Sequence, residues 1–505
     1  MTTTTSQVNV LLVKIGTEPG LEKIPLILKS YDSRIRTFGI LNHPQQEHNY
    51  DVAVTSTQQA VLGAHSEYLC HSLYVRPELF ERLAKDEGRI LRMYDRVAIH
   101  DLQSVDTPSA PIPRFDNSLD ARSQLFLRQA AYWDYVIETF SLHAVVAQNY
   151  GHNGWDAVLQ AVAEARDIPY LFFHEVRPFL GSLFVHESVS DLGSTELGRT
   201  LLNMSIDGVH MIPDSSVRAN RLRNQVLGTP ITSTVDSLKK ETQSCTPLRR
   251  AILLCRELKN PSGFLKRRLR AYGRRKSNRR SMRDEETSWS KQPLSKDYIF
   301  CELQSQPNGT TAIKVSEFAD QRESIAMVAK NLPHGWTLVV KESDRQWSRM
   351  YPRRQNFWSQ IAHIPNVHIV PYTSTSRTLA LGARAVLESS YSSLALDAIR
   401  NMVPVLIFGK THIGSLPGVY RIRTDSDLQR ALEHISSPDF SLGDSANLQE
   451  HLRRFADVVR EATLEGALSS QPRNLSPLEY DEYFNRVNSN VARVIFAWLK
   501  IRKIA

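Results

Sequence analysis

The chain has 505 residues, of which 41% are hydrophobic and 23% charged, and its net charge at pH 7 is +9. This length exceeds one ordinary core, so two domains of about 200 residues each are expected. The composition is globular, no run approaches the ~18 uncharged apolar residues of a membrane span, and MTTTTSQ is no targeting signal. We therefore expect a cytoplasmic protein.

The N-terminal part of the chain predicts alternating strands and helices. VNVLLVKIG is typical of a first strand, and HAVVAQNYGHNGWDAVLQAVAEARDIPYLFFHEV of a strand, a loop, a helix and another strand. The helix is expected to begin near Asn153 and to bury Val158, Ala161, Val162 and Ala165. Such a unit implies a parallel sheet with right-handed crossovers, in a domain over residues 1–235.

The positive charge is concentrated in the next segment, residues 236–296. Arg249–Arg283 contains many Arg and Lys and a single acidic residue, Glu257. A solvated helix or loop is the simplest interpretation of this run. The functional interpretation is that Lys266–Arg283 binds an anionic membrane surface. Nucleic-acid binding ranks third among the interpretations, because no nucleic-acid recognition motif accompanies the charge.

The C-terminal part repeats the alternation. Strands are predicted for the apolar runs DYIFCELQ, WTLVVK, NVHIVPY, RAVLES and PVLIFG. Helices are predicted for the segments SEFADQRESIAMVAKNLP, MYPRRQNFWSQIAHI, SRTLALGA and SSLALDAIRNM. The pattern indicates a second doubly wound α/β domain over residues 297–475, facing the first. Residues 476–505 predict an amphipathic helix, which by analogy with similar folds crosses back to the first domain.

Polar residues follow these predicted strands where they end. In an open parallel sheet, ligands bind outside the carboxyl ends of the strands. The residues placed there are Gln304, Gln306, Pro307, Lys341, Glu342, Ser343, Tyr372, Ser392, Ser393, Asp397, Gly409, Lys410 and His412. Cations, hydroxyls, N–H groups and carboxylates together suit a nucleotide or a phosphorylated sugar.

Simpler roles compete with this hypothesis. Lys341 and Glu342 pair with one another at the surface in the first alternative. In the second, the serines from Ser389 to Ser393 only cap a helix on which Asp397 is solvated. The four cysteines are scattered without metal-ligand spacing, so neither a metal site nor a disulfide framework is indicated.

Six blocks of the C-terminal part are, in chain order, FCELQSQPNGTT, FADQ, NLPHGWTLVVKES, IPNVHIVPY, SSLALDAIRNMVPVLIFG and LPGVYRI. Together they resemble the capsule-polysaccharide biosynthesis family of bacterial transferases, to which Kdo transferases belong. The similarity spans roughly Tyr298 to Ile422, with the blocks in the family's order. It implies a GT-B glycosyltransferase with two facing Rossmann-like domains, which bind a nucleotide sugar through the C-terminal domain and the acceptor through the N-terminal one.

The resemblance also assigns motifs. Gln306-Pro307 matches the family's Gln-Pro motif, Lys341-Glu342 its Lys-Glu pair, and Ser393 with Asp397 its Thr-x-x-x-Glu turn. Three positions depart from the pattern. Ser343-Asp344 replaces the usual His-Pro, Asn308 replaces an acidic residue, and Ser392 replaces a glycine.

A transferase of this kind without a metal needs groups that stabilise the departing phosphate, and in an inverting enzyme a base for the acceptor hydroxyl. We expect Lys341, the Ser389–Ser393 turn and Lys410 or His412 in the first role. The base candidates are His152, His174 and Glu175, each of which also fits a structural role. Arg177 is the candidate for binding an anionic acceptor.

The sequence therefore predicts a glycosyltransferase that moves a sugar from a CMP- or UDP-linked donor to a growing surface polysaccharide or glycolipid. No metal and no other cofactor are expected. Two alternatives remain: a catalytically silent glycan-binding or scaffolding relative, and a nucleotide-sugar epimerase of the same two-domain shape.

Overall fold

A computed structural model shows the chain as two compact units. The structure describes residues 7–17, 20–41, 44–56, 59–60, 63, 75–94, 119–151, 154–176, 179, 181–213, 216–228, 279, 282–290, 294–306, 314–343, 346, 353, 356–390, 392–466, 468 and 477–505. The first unit comprises Met1–Val226 and Arg453–Ala505, and the second Leu227–Leu452. Each contains a largely parallel sheet with helices, which confirms the predicted pair of α/β domains.

The strands of the first unit are β1 (Val8–Val13), β2 (Ile35–Leu41), β3 (Val52–Ser56), β4 (Ala144–Ala147), β5 (Tyr170–Glu175), β6 (Ser182–His186) and, after the second unit, β13 (Leu464–Glu465). Its helices are α1 (Ile24–Tyr31), α2 (Pro77–Tyr94), α3 (Leu119–Thr139), α4 (Trp155–Ala165), α5 (Glu196–Asn203), α6 (Ser216–Leu227) and α13 (Pro477–Ile501). Short 3-10 turns occur at Pro44–Asn49 and Val189–Asp191.

The first sheet has the order β13-β6-β5-β4-β1-β2-β3 in the described residues. Strands β1 to β5 are parallel, whereas β6 is antiparallel to β5 and β13 antiparallel to β6. The expectation of a purely parallel sheet is thus wrong at this edge. The connection from Glu175 to Ser182 is too short for the helical crossover that a parallel neighbour requires, so the chain turns back.

The predicted strand-helix-strand unit is present as β4, α4 and β5. Helix α4 begins at Trp155, and the four residues expected on its apolar side are all buried. Gly151, just before it, lies where a Cβ would come within 2.3 Å of the Cα of Ala157. A glycine therefore allows the loop after β4 to pack directly on the helix.

Helix α13 belongs to the core of the first unit. Val487, Val491, Ile495 and Trp498 recur at helical spacing and are fully buried, in a cluster that also contains residues of β1 and α1. Asn490 exchanges two hydrogen bonds with the backbone of Ile212, at 2.8 and 2.9 Å. The C-terminal helix thus completes the hydrophobic core of the N-terminal α/β unit.

The strands of the second unit are β7 (Tyr298–Glu302), β8 (Thr337–Lys341), β9 (Val367–Val370), β10 (Ala385–Glu388), β11 (Val405–Ile407) and β12 (Val419–Arg421). Its helices are α7 (Gln321–Lys330), α8 (Phe357–Ala362), α9 (Ser376–Leu381), α10 (Ser393–Arg400) and α11 (Asp425–Ser436), while α12 (Ser445–Ala462) contains the boundary between the units. A 3-10 turn precedes α7 at Ser316–Ala319.

The second sheet has the order β12-β11-β10-β7-β8-β9, and all its pairings are parallel. After β9 the chain returns across the sheet to form β10 on the other side of β7. The strand order therefore reverses between β7 and β10, which makes that position the topological switch point of the sheet.

One helix of the second unit is shorter than its sequence pattern. The helix expected from Ser316 onward begins at Gln321, because Asp320 is extended and its side chain accepts a hydrogen bond from the Arg322 N–H at 3.1 Å. The helix expected over MYPRRQNFWSQIAHI begins at Phe357, and most of its earlier residues lie outside the described ones.

The basic segment 236–296 falls almost entirely outside the described residues, which include only 279, 282–290 and 294–296 of it. The membrane-binding hypothesis for Lys266–Arg283 therefore stays a prediction. Among the helices that the structure describes, none combines the length and the apolar character of a membrane span.

Candidate functional site

The carboxyl edge of the second sheet gathers the residues that the sequence placed there. Strands β7, β8 and β10 end side by side, with the switch point between β7 and β10. Loops and helix N-termini meet at such an edge, which is where open α/β sheets bind ligands. Pro307 lies outside the described residues; the other predicted donor residues are described, and they differ widely in burial.

Lys341, the last residue of β8, points into the protein. Its side chain is only 1% exposed, and the ammonium donates to Glu302 Oε1 at 3.0 Å and to the carbonyl of Glu342 at 3.1 Å. Glu302 Oε1 also accepts a hydrogen bond from the hydroxyl of Ser376, at 2.8 Å. The cation thus ties the ends of β7 and β8 to the start of α9.

Glu342 forms a buried ion pair with Arg353. Arg353 donates from Nη2 to Glu342 Oε1 at 2.7 Å and from Nε to Oε2 at 2.8 Å, and the side chains are 2% and 0% exposed. The alternative in which Lys341 and Glu342 pair with one another at the surface is wrong, because both are buried and each binds another side chain. No pattern in the sequence pointed to Arg353.

Arg353 also fixes the loop after β7. It donates from Nη1 to Gln306 Oε1 at 3.1 Å and from Nη2 to the carbonyl of Gln304 at 3.0 Å. The side chain of Gln346 exchanges two hydrogen bonds with the backbone of Gln306, each at 2.7 Å. Gln321 does the same for Gln304, at 2.8 and 2.9 Å. The described start of this loop, residues 303–306, is thereby preorganised without regular secondary structure.

The serine turn after β10 caps helix α10. The Ser392 hydroxyl accepts a hydrogen bond from the Leu394 N–H at 3.1 Å, so the N-cap interpretation is correct for this residue. Ser390 donates to Gln304 Oε1 at 3.0 Å, which links the turn to the loop after β7. Ser393, the first residue of the helix, is exposed. Its N–H is one of the helix N–H groups that have no intrahelical acceptor.

Asp397 lies one turn into α10. It is 9% exposed and forms an ion pair with Arg400 at 2.7 Å, so the alternative of a solvated Asp397 is wrong. Burial raises its pKa above the usual value, and Arg400 acts in the opposite direction.

The loop after β11 packs tightly against the serine turn. The Gly409 N–H donates to the carbonyl of Ser389 at 2.8 Å, and a Cβ at Gly409 would lie only 2.8 Å from that oxygen. The N–H of Lys410 donates to the carbonyl of Lys314 at 3.2 Å, while His412 is buried. Tyr372, Ser343 and Lys410 are half-buried.

Lys314 is a cation that the sequence analysis missed. Part of the residue is exposed, but its ammonium is enclosed, and this burial lowers its pKa to about 8. Its position beside the Lys410 backbone places it at the same sheet edge. The sequence offered little indication that Lys314 lies at the site, because Lys314 is twelve residues beyond the end of β7 and does not directly follow any strand.

The base candidates lie in the first unit. His174 is 4% exposed on β5, and its ring packs edge-on against Tyr150 with the centroids 5.1 Å apart. His186 on β6 lies 6.1 Å from His174 between ring centroids. Glu175 is half-buried at the end of β5. The structure therefore places the ring of His174 among the aromatic rings of Tyr150 and His186.

Two other predicted residues of this unit, His152 and Arg177, lie outside the described residues. The switch point of the first sheet, between β1 and β4, instead holds Lys14, which the sequence analysis did not single out. Lys14 has a positive φ of 58°, and its ammonium lies 5.2 Å from the ring centroid of Trp155 at the start of α4. A cation at this edge is held over an aromatic face.

Neither a protein-family description nor a curated protein sequence matches the chain. Overlaid solved structures include Anabaena HepE in complex with UDP-glucose, at 11% identity and a TM-score of 0.28, with 90% of this chain and 97% of that chain covered. A UDP-GlcNAc 2-epimerase from Methanocaldococcus jannaschii overlays at 11% identity and a TM-score of 0.24, covering 90% and 99%. The spinosyn rhamnosyltransferase SpnG overlays at 10% identity and a TM-score of 0.24, covering 90% and 96%.

Their names describe a protein in complex with UDP-glucose, a UDP-GlcNAc 2-epimerase and a rhamnosyltransferase. At such TM-scores the overlays carry no argument about what this chain does or how its units are arranged. The two sheets define the α/β fold, and the contacts at their edges define the chemistry available to the chain.

Proposed function

We propose that the chain is a glycosyltransferase of GT-B architecture that binds a nucleotide-activated sugar at the carboxyl edge of its second sheet. The observation that carries this proposal is the start of α10 at the topological switch point. There an exposed Ser393 opens a helix capped by Ser392, next to the amide-rich loop after β7. Helix N-termini bind phosphate through their N–H groups and the positive end of the helix dipole.

The same arrangement suits the chemistry of sugar transfer. Negative charge develops on the phosphate as the bond from the sugar to the nucleotide breaks, and fixed N–H groups and cations stabilise it. In this proposal the N–H of Ser393 and the ammonium groups of Lys314 and Lys410 supply that stabilisation. His174 and Glu175 are the described candidates for the base that takes the proton of an acceptor hydroxyl.

The acceptor class rests on the sequence. The blocks between Tyr298 and Ile422 that resemble the capsule-polysaccharide family support a growing surface polysaccharide or glycolipid as the acceptor. A Kdo-type donor linked to CMP, or a UDP-linked donor, follows from the same resemblance. Transfer is proposed to need no metal.

The burial of Lys341 and Glu342 favours a second candidate, a catalytically silent glycan-binding relative. Both side chains are committed to contacts inside the protein, so the Lys-Glu pair supports the loops of the site. The two candidates differ in one measurable property. A transferase, like an epimerase, is stabilised by some nucleotide or nucleotide sugar, whereas a silent scaffold is not. Release of free nucleotide only in the presence of an acceptor glycan then separates the transferase from the epimerase.

Ser393→Pro is expected to weaken nucleotide binding about tenfold or more. Proline is favoured at the first position of a helix, and Ser392 already has the extended backbone, φ −130° and ψ 171°, that a following proline requires. The substitution therefore removes one N–H and leaves the helix in place. A hydrogen bond to a charged group contributes about 1.5–3 kcal/mol, which corresponds to at least a tenfold loss.

The measurement is calorimetric titration with CMP, UDP, GDP and their sugars. Ser393→Ala serves as the matched variant, since it keeps the N–H and loses only the hydroxyl; the loss in Ser393→Pro should clearly exceed the loss in Ser393→Ala. Equal affinities in wild type and Ser393→Pro, with unchanged unfolding midpoints, would place the phosphate elsewhere. If wild type binds none of the nucleotides, the transferase proposal fails.

We further propose that Lys266–Arg283 binds an anionic membrane surface, at about 1 kcal/mol for each Lys or Arg near the lipid. Binding to vesicles that contain phosphatidylserine is expected to fall as salt rises and to disappear when these residues are deleted. Co-sedimentation with neutral phosphatidylcholine vesicles is the control. Undiminished binding by the deletion variant would show that another surface contacts the lipid.

A further inference from the structure

Glu388 is a buried carboxyl group at the centre of the candidate site. It is the last residue of β10 and is 2% exposed, at the switch point where β10 lies beside β7. The sequence analysis assigned it to a strand end and gave it no role. An ionised carboxyl group in the interior of a site for negatively charged ligands would repel those ligands, and buried titratable groups of this kind cluster at functional sites.

Glu388 is connected to the start of α10 through one side chain. The hydroxyl of Ser392 donates to Glu388 Oε1 at 2.5 Å, and the same hydroxyl accepts the hydrogen bond from the Leu394 N–H. The carboxyl group therefore lies two hydrogen bonds from the first turn of the helix. Its charge state acts directly on the helix N-terminus at which the phosphate is proposed to bind.

The surroundings of Glu388 favour its neutral form. Among the described residues, the thiol of Cys301 and the carboxylate of Glu302 on β7 interact electrostatically with Glu388, and its neighbour in register on β11 is the apolar Ile407. Burial raises the pKa of Glu388, the hydrogen bond from Ser392 lowers it, Glu302 raises it and Gln304 lowers it, and together they bring it to about 8. Near pH 7 the group is therefore protonated.

We infer that Glu388 is a positioning residue of the donor site: as a neutral acid it orients Ser392 and keeps negative charge away from the N-terminus of α10, so that a phosphate group can bind there. The inference rests on the proposed function and adds a residue to it. Ionised Glu388 would oppose the positive end of the helix dipole and repel the incoming phosphate.

The test is nucleotide affinity as a function of pH in wild type and Glu388→Gln. The glutamine keeps an oxygen that accepts from Ser392, but it cannot ionise. With a pKa near 8, about one-tenth of wild type has a neutral Glu388 at pH 9, so affinity for the best-bound nucleotide should fall at least tenfold between pH 7 and pH 9. Glu388→Gln should show a smaller fall, because in that variant only the ammonium of Lys314, whose pKa is also about 8, loses its charge over this range. Glu433→Gln, which changes an exposed carboxyl group of α11, should keep the wild-type profile.

A second measurement needs no nucleotide. The folded pKa of Glu388 lies above its usual 4.5, so the stability that its proton provides is fully present below about pH 4.5 and is lost as the pH rises to about 8. The unfolding midpoint of the second unit should fall over this range more steeply in wild type than in Glu388→Gln.

The possible failures are distinct. If nucleotides bind but both proteins show the same pH profile, Glu388 does not control the site, while the proposed function stands. If no nucleotide binds either protein at any pH, the proposed function fails and the positioning role fails with it. If the two unfolding midpoints change equally with pH, Glu388 is not the buried neutral acid, whatever the nucleotides do.

Discussion

Glu342→Ala is expected to destabilise the second unit by about 3–5 kcal/mol. The substitution leaves the guanidinium of Arg353 buried without its carboxylate, and an uncompensated buried charge is among the largest single costs in a folded protein. Arg353 is 2% exposed as a side chain, so water cannot replace the lost partner without rearrangement of the loops. Urea denaturation that follows the transition of the second unit gives the change in the free energy of unfolding.

The double variant Glu342→Leu/Arg353→Met is the matched control. It removes both charges and keeps apolar volume, so it should lose less stability than Glu342→Ala alone. Arg353 also donates to Gln306 and to the carbonyl of Gln304, so some loss remains in the double variant. A Glu342→Ala protein with wild-type stability would show that this ion pair does not support the fold and would return Glu342 to the list of ligand-binding candidates.

Trp498→Ala is expected to destabilise the first unit by about 3–5 kcal/mol, the cost of removing a large aromatic side chain from a core. Trp498 is fully buried on α13, and its Nε1 donates to Glu187 Oε1 at 2.6 Å. The effect should appear in the unfolding transition of the first unit, because α13 packs in the core of that unit.

Two variants of α13 calibrate this prediction. Trp498→Phe keeps most of the buried area and loses the hydrogen bond to Glu187, so it should cost less than Trp498→Ala. Leu478→Ala alters a residue of the same helix that is 71% exposed, and its effect should stay within about 0.5 kcal/mol. A loss confined to the transition of the second unit would contradict the placement of α13.

The strands and their alternation with helices were predictable because buried parallel strands are short apolar runs. VNVLLV, YIFCE and TLVVK are such runs, and each is a strand of the structure. The buried side of α4 was predictable from helical spacing. The antiparallel β6 was not predicted, since strand direction depends on the length of a connection that composition does not reveal.

The candidate site was predictable in position but not in its internal partners. Polar residues at strand ends located the edge, because carboxyl ends of parallel strands coincide. Whether such a residue faces a ligand or the interior depends on a partner distant in the chain. Lys341 binds Glu302, and Glu342 binds Arg353. The hydrophobic periodicity of the sequence does not predict which distant residues pair in this way. Glu388 was missed for the same reason, since its importance comes from burial and not from its sequence neighbours.

The place of α13 determines the order in which the chain can fold during synthesis. Residues 227–452 leave the ribosome before residues 453–505, yet the latter complete the core of the first unit. Domains generally fold as units when all their parts are available. The second unit can therefore reach its native state first. Until α13 is synthesised, the sheet of the first unit has one apolar side that this helix does not yet cover. Nascent chains that stop before α13 should engage chaperones through the N-terminal unit.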